Sequence, residues 1–250
     1  MITKFYKGYT ELHNKVPTSK HKSRYIKPTW GEVGGFLDDN YVLVDIDDMD
    51  NANLLFAIIN DYDIKCHVTQ SRHGIHAIFK KPCEKLAYGN RKETLTGVIC
   101  DYKCSNNKGY ERIIIDGEPL PVILECDEPD VLPWLLFPFG KPRNLQQIKH
   151  GCGRHNTFME LSNVYAIYEN DPNKILNTII WVNENVFEEP RKSVNITIPF
   201  VLDSIRYMNT SYDDNQIMDI VKDVDKNKLI KLLVQYGLVN PNIFKEVDND

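Results

Sequence analysis

The chain has 250 residues, of which 42% are hydrophobic and 26% charged, the balance of a folded protein with one large domain or two smaller ones. Its 35 acidic residues outnumber its 30 basic ones, so a net charge of -5 excludes recruitment of nucleic acid or anionic membrane by bulk charge. No apolar run approaches the roughly 20 residues of a membrane helix, and the N-terminal segment MITKFYKGYTELHNKVPTSKHK has no apolar secretion core, which points to the cytoplasm.

Residues 1–30 carry Lys4, Lys7, Lys15, Lys20, Lys22, Arg24 and Lys27 against Glu11 alone. Such a run reads either as a solvated leader or as an arm that contacts a polyanion. From residue 41, YVLVDID is a compact β-branched run, followed by DNANLLFAIIND with apolar residues at helical spacing and Asp50 as the candidate cap. IKCHVTQ and IHAIFK, joined by Ser71, Arg72, His73 and Gly74, form a hairpin candidate. TGVICDYK and ERIIID read as strands, and Asp116-Gly117 before EPLPVILE signals a turn back into the same sheet. These elements predict an N-terminal half built on a mixed sheet.

DEPDVLPWLLFPFGKPR carries four prolines, excluding a regular helix or a central strand and suggesting a domain border. RHNTFMELSNVYAIYEN and DPNKILNTIIWVNENVF follow with helical spacing, Asp171-Pro172 opening the second helix. PFVLDSIRYMN and KNKLIKLLVQYGL, stopped at Gly237, are two more candidate helices. The six cysteines form no CxxC pair. Cys100 and Cys104 with His67 or His73 offer a metal set on paper, against the plainer reading of buried small hydrophobes.

Asp45 and Asp47 lie two apart on a predicted strand and so project from one face, about 6.5 to 7 Å apart at the backbone. Two carboxylates at roughly 5 Å repel by about 3 kcal/mol at an effective dielectric of 20, and a divalent cation is their natural neutraliser. On that reasoning their removal should relieve strain and raise stability without metal. The alternative is a polar strand-to-helix loop. TQSRHGIHAIF places Ser71 and His76 around a glycine-bearing turn suited to a phosphate, and GVICDYK ends an apolar strand in Asp101.

In this order and spacing, VLVDID, SRHGIHAIF and VICDYK resemble the archaeo-eukaryotic primase superfamily, especially the primase-polymerases of phages and plasmids. The resemblance covers residues of about 25 to 140. It implies that Asp45, Asp47 and Asp101 hold two Mg²⁺ or Mn²⁺ ions, and that Ser71, Gly74, His76 and Lys103 bind a nucleoside triphosphate. Arg72 stands where relatives often have glycine, and its guanidinium suits a phosphate. The loop after Asp101 is longer than in relatives. A second, looser resemblance joins GCGRHNTFMELSNVYAIYEN and ILNTIIWVNENVF, through Gly153, Arg154, Asn156, Thr157 and Asn183, to the helical domain that follows the catalytic module in such primases.

The fold expected is therefore α+β: residues 1–145 as a mixed-sheet primase-polymerase module, then residues 146–250 as an all-α helical domain. The expected function is a DNA primase-polymerase of a phage or mobile element, working in the cytoplasm of a bacterial host on a single-stranded DNA template. The chain has no GxxxxGK[ST] loop, so a replicative helicase would be a separate partner or part of a longer parent chain. A catalytically silent replication-initiation module that binds DNA and recruits a helicase, and a two-metal nuclease, are the alternatives.

Overall fold

The computed structural model describes residues 2–19, 22–83, 85–86, 88–104, 110–169 and 171–191, with a mixed α+β architecture. The chain divides into two units, residues 1–143 and residues 144–250.

The first unit holds two sheets whose strand ladders are all antiparallel, where the sequence suggests one mixed sheet. β1 (Tyr6–His13), β2 (Val16–Pro17), β3 (Val33–Leu37), β9 (Glu111–Ile115) and β10 (Glu118–Pro119) make a five-stranded sheet in the order β10-β9-β3-β1-β2. β4 (Tyr41–Ile46), β5 (His67–Gln70), β6 (Ile75–Lys80), β7 (Lys92–Glu93), β8 (Ile99–Cys104) and β11 (Val122–Leu124) make a six-stranded sheet in the order β11-β5-β6-β4-β8-β7.

The lysine-rich N-terminus is thus part of a sheet and not a solvated leader. Phe5, just before β1, and Tyr6, Tyr9 and Leu12 on it are buried, so their apolar surface fixes the strand while Lys4 and Lys7 remain exposed. The DG pair does make a hairpin, with both Asp116 and Gly117 at positive φ, but it joins β9 to β10 in the five-stranded sheet.

β4 enters α1 (Met49–Asp61), which returns the chain to β5; β6 then inserts between β5 and β4. This arrangement sets β5 parallel to β4 without pairing them, because each is antiparallel to β6. Asp48, not Asp50, caps α1: its carboxylate accepts the Asn51 N–H at 2.8 Å. Ala52, Leu55, Ile58 and Ile59 are the helix's buried apolar residues.

Side-chain alternation divides β4 in two. Leu43 packs in one cluster with Ile78 of β6, with Val33, Leu37 and Ile113 of the other sheet and with Phe5 just before β1, forming the core between the sheets. Val42, Val44 and Ile46 are fully buried on the opposite face. The proline-rich segment lies within this first unit, with a 3₁₀ turn at Trp134–Leu136 and buried Leu132, Leu135, Leu136, Phe137 and Phe139. The Tyr102 hydroxyl donates to the Leu136 carbonyl at 2.6 Å.

In the second unit the two predicted helices form as α2 (Arg154–Tyr168) and α3 (Pro172–Asn185). Phe158, Leu161 and Tyr165 of α2 and Ile175, Ile179 and Val182 of α3 are buried, and Phe158 stacks on Phe187 at 5.2 Å between ring centres. Asn183, singled out by the resemblance, is fully buried and clamps the chain beyond the helix, exchanging two 2.8 Å hydrogen bonds with the backbone of Arg191. The two further helix candidates, PFVLDSIRYMN and KNKLIKLLVQYGL, lie outside the described residues.

Candidate functional site

Two residues beyond the core layer of Leu43, Ile78 and Ile113, toward one end of the same strands, come Asp45, His76 and Glu111. Because alternate residues share a face, these three polar side chains extend the apolar inter-sheet layer to its rim. Asp45 pairs with His76 on one side and Asp101 on the other. Glu111 arrives from the five-stranded sheet. The three are 7%, 6% and 8% exposed, so the fold buries two carboxylates and an imidazole together.

His76 Nε2 lies 3.3 Å from Asp45 Oδ1 and 3.2 Å from Glu111 Oε1. Lys103, two residues past Asp101 on the same face of β8, reaches the second oxygen of each carboxylate, at 2.5 Å from Asp45 Oδ2 and in a close ion pair with Glu111 Oε2. Burial by itself would push the Asp45 carboxyl up. The facing His76 and the Lys103 ammonium outweigh it and bring its pKa down to about 2. Burial opposes the Lys103 charge too, and Glu111 and Asp45 reverse that, so its pKa is raised.

An acid with a lowered folded-state pKa stabilises the fold above its unfolded value, and that stabilisation is lost as pH falls through the folded one. The Asp45 contribution is therefore complete above about pH 4 and disappears toward pH 2, at a cost of about 2 kcal/mol. Urea unfolding at pH 4 and pH 2 should show this loss beyond whatever an Asp45→Asn protein shows. Equal pH dependence in both would mean that the Asp45 charge is not held by the fold.

The cluster floors a cavity of about 450 Å³. Asp47 also lines it, but from the exposed turn just past β4 and outside the close group formed by Asp45, His76 and Glu111. Ser71, Arg72 and His73 line it from the β5–β6 hairpin, and Lys15 and Arg112 from the other sheet. Gly74 is buried behind them: a Cβ there would stand 1.7 Å from the Ile46 carbonyl oxygen, so only glycine lets the hairpin lie against the end of β4. Ser71 closes the turn, its N–H donating to the Gly74 carbonyl at 2.9 Å and its Oγ accepting the Gly74 N–H at 3.0 Å.

Asp101 sits directly across from Asp45 but is absent from the cavity lining, and its Oδ1 accepts the Arg91 N–H at 2.7 Å. Glu111 lies against Asp45 instead. Glu111 is not among the site residues expected from the sequence, although a carboxylate in phase with the inward Ile113 of ERIII is a signal, since a buried charge needs a partner. Asp45, His76 and Glu111 could hold a metal ion. Cys100 and Cys104 are buried, burial pushing the Cys100 thiol up to about 12, and no cysteine joins a metal-ligating group among the described residues.

A second cavity, of about 640 Å³, lies at the start of β1. Lys4, Lys7, Arg24 and the exposed Tyr25 line it, with Lys4 paired to Asp127 and Lys7 to Asp39. No helix among the described residues is long and apolar enough to cross a membrane. No protein-family model, curated protein or solved structure significantly matches this chain.

Proposed function

We propose that this protein is a DNA primase-polymerase that extends or starts strands on single-stranded DNA by metal-dependent nucleotidyl transfer, in the replication of a phage or mobile element. One observation carries the reading: a single cavity has a buried acidic floor at Asp45 and Glu111, an exposed Asp47, and a rim of Arg72, His73, Lys15 and Arg112. Carboxylates below and cations above complement a metal-bound polyphosphate better than either a bare anion or a neutral ligand.

Mg²⁺ or Mn²⁺ would be held at Asp45 and Asp47, with Asp101 as the third expected carboxylate one strand away. Such ions supply activation of a 3′ hydroxyl and neutralisation of phosphate charge. The chain's own residues bind and orient. Arg72 and Arg112 offer planar forks of donors to phosphate oxygens, Lys15 a point charge, and the Ser71 hydroxyl remains able to donate while its oxygen holds the turn. Template contact falls to the second cavity, where Arg24 and the exposed Tyr25 combine a cation with a stacking surface. A helicase partner, in trans or in a longer parent chain, falls to the region from residue 144 on, and the bacterial cytoplasm is the setting this function requires.

Incubating the protein with primed and unprimed single-stranded DNA, Mn²⁺ and labelled nucleotides should give template-dependent products. DNA binding without incorporation would favour the silent initiation module, and shortened template without incorporation would favour a nuclease.

A further inference from the structure

We infer that Asp45, His76 and Glu111 form a site for one divalent ion of the transition series, in which the ion competes with Lys103 for the charge of the two carboxylates. The inference stands apart from the nucleotide reading, in which His76 meets phosphate directly.

The spacing supports it first. Ligand atoms around an ion at about 2.1 Å stand roughly 3 to 3.5 Å from one another. His76 Nε2 is already 3.3 Å from Asp45 Oδ1 and 3.2 Å from Glu111 Oε1, and the three ligand atoms all lie within 4.8 Å of one another. The second support is independent of the cluster's composition. Asp45 is 7% exposed, and its Oδ1 is buried without accepting a hydrogen bond, since the nearby ring nitrogen approaches without hydrogen-bond alignment. A buried anionic oxygen with no donor is costly unless a cation faces it.

Lys103 uses the opposite oxygens, Asp45 Oδ2 and Glu111 Oε2. The carboxylates therefore present one pair of oxygens to the ammonium and the other pair to His76. Lys103 neutralises charge that a dication would otherwise use, so it weakens the ion's binding without occupying its position. The donor set decides the class of ion. Mg²⁺ takes oxygen ligands and keeps its waters, whereas an imidazole nitrogen beside two carboxylates suits Mn²⁺, Co²⁺ or Zn²⁺.

The test uses the full chain with Mn²⁺ alone, without nucleotide or DNA, so its outcome is separate from that of the polymerase assay. Free Mn²⁺ is followed by its EPR signal. His76→Gln and Glu111→Gln should each weaken binding about tenfold or more, and Lys103→Met should tighten it about fivefold by leaving both carboxylates uncompensated. Mg²⁺ in about hundredfold excess should leave most of the Mn²⁺ bound. On the unsubstituted protein, pulsed EPR should show coupling of the bound Mn²⁺ to an imidazole nitrogen, a readout that survives even where a variant fails to fold. Binding without nitrogen coupling, binding unchanged in a folded His76→Gln protein, or displacement by equimolar Mg²⁺ would each overturn the assignment.

Discussion

A Gly74→Ala protein should lose about 3 to 5 kcal/mol of stability, a fall of roughly 10 °C in melting temperature for a unit of this size. The added carbon would meet the Ile46 carbonyl oxygen at 1.7 Å and the Asp47 carbonyl carbon at 3.1 Å, and both are backbone atoms. No flexible side chain can swing aside. Either the chain bends where β4 passes into the turn at Asp47, or the hairpin lifts and takes Ser71, Arg72 and His73 with it. Gly31→Ala and Gly140→Ala are the controls, because a Cβ at either meets nothing within 4 Å. Thermal unfolding of the three variants checks the contrast, and a Gly74→Ala protein as stable as the controls would mean that the hairpin does not lie against β4.

That glycine illustrates which parts of the molecule were legible in the sequence. SRHGIH reads as a glycine-bearing turn suited to a phosphate. The structure forms the turn there, but Gly74 is needed because another strand passes behind it. Local signals gave β4, α1, the β5–β6 hairpin, β8, α2 and α3, since alternation and helical spacing are properties of short segments. What a short segment cannot reveal is its partner. ERIII is legible as a strand, yet nothing within it says that it joins β3 and not β8, and that choice brings Glu111 over Asp45 and His76. Likewise the charge of residues 1–30 is visible in the composition, while the inward series Tyr6, Tyr9 and Leu12 that makes β1 a sheet member is hidden by the lysines around it. At the head of α1 Asp47, Asp48 and Asp50 compete for one cap, and Asp48 takes it because it is the residue that remains extended just before the first turn.

Asp45→Ala should abolish metal-dependent incorporation, a loss of a thousandfold or more, equivalent to about 4 kcal/mol in the barrier. Its effect on stability should be opposite to the one that paired aspartates suggest. Repulsion between Asp45 and Asp47 would make their removal stabilising, but Asp47 projects from an exposed turn while Asp45 is buried with Lys103 and His76. A pKa lowered to about 2 means that the fold favours the charged form of Asp45 over the neutral one. Removing it leaves the half-buried Lys103 with Glu111 alone and should cost about 2 kcal/mol, or roughly 4 to 8 °C in melting temperature. Asp47→Ala should stay within about 0.5 kcal/mol of the parent, as exposed substitutions do. The double variant should then melt close to Asp45→Ala, since only one of the two side chains belongs to the buried network. Melting curves and incorporation assays on the three proteins separate the possibilities. A double variant more stable than the parent would mean that repulsion between the two carboxylates outweighs the contacts Asp45 makes with Lys103 and His76, and incorporation that survives Asp45→Ala in a folded protein would remove the carboxylate floor from the chemistry.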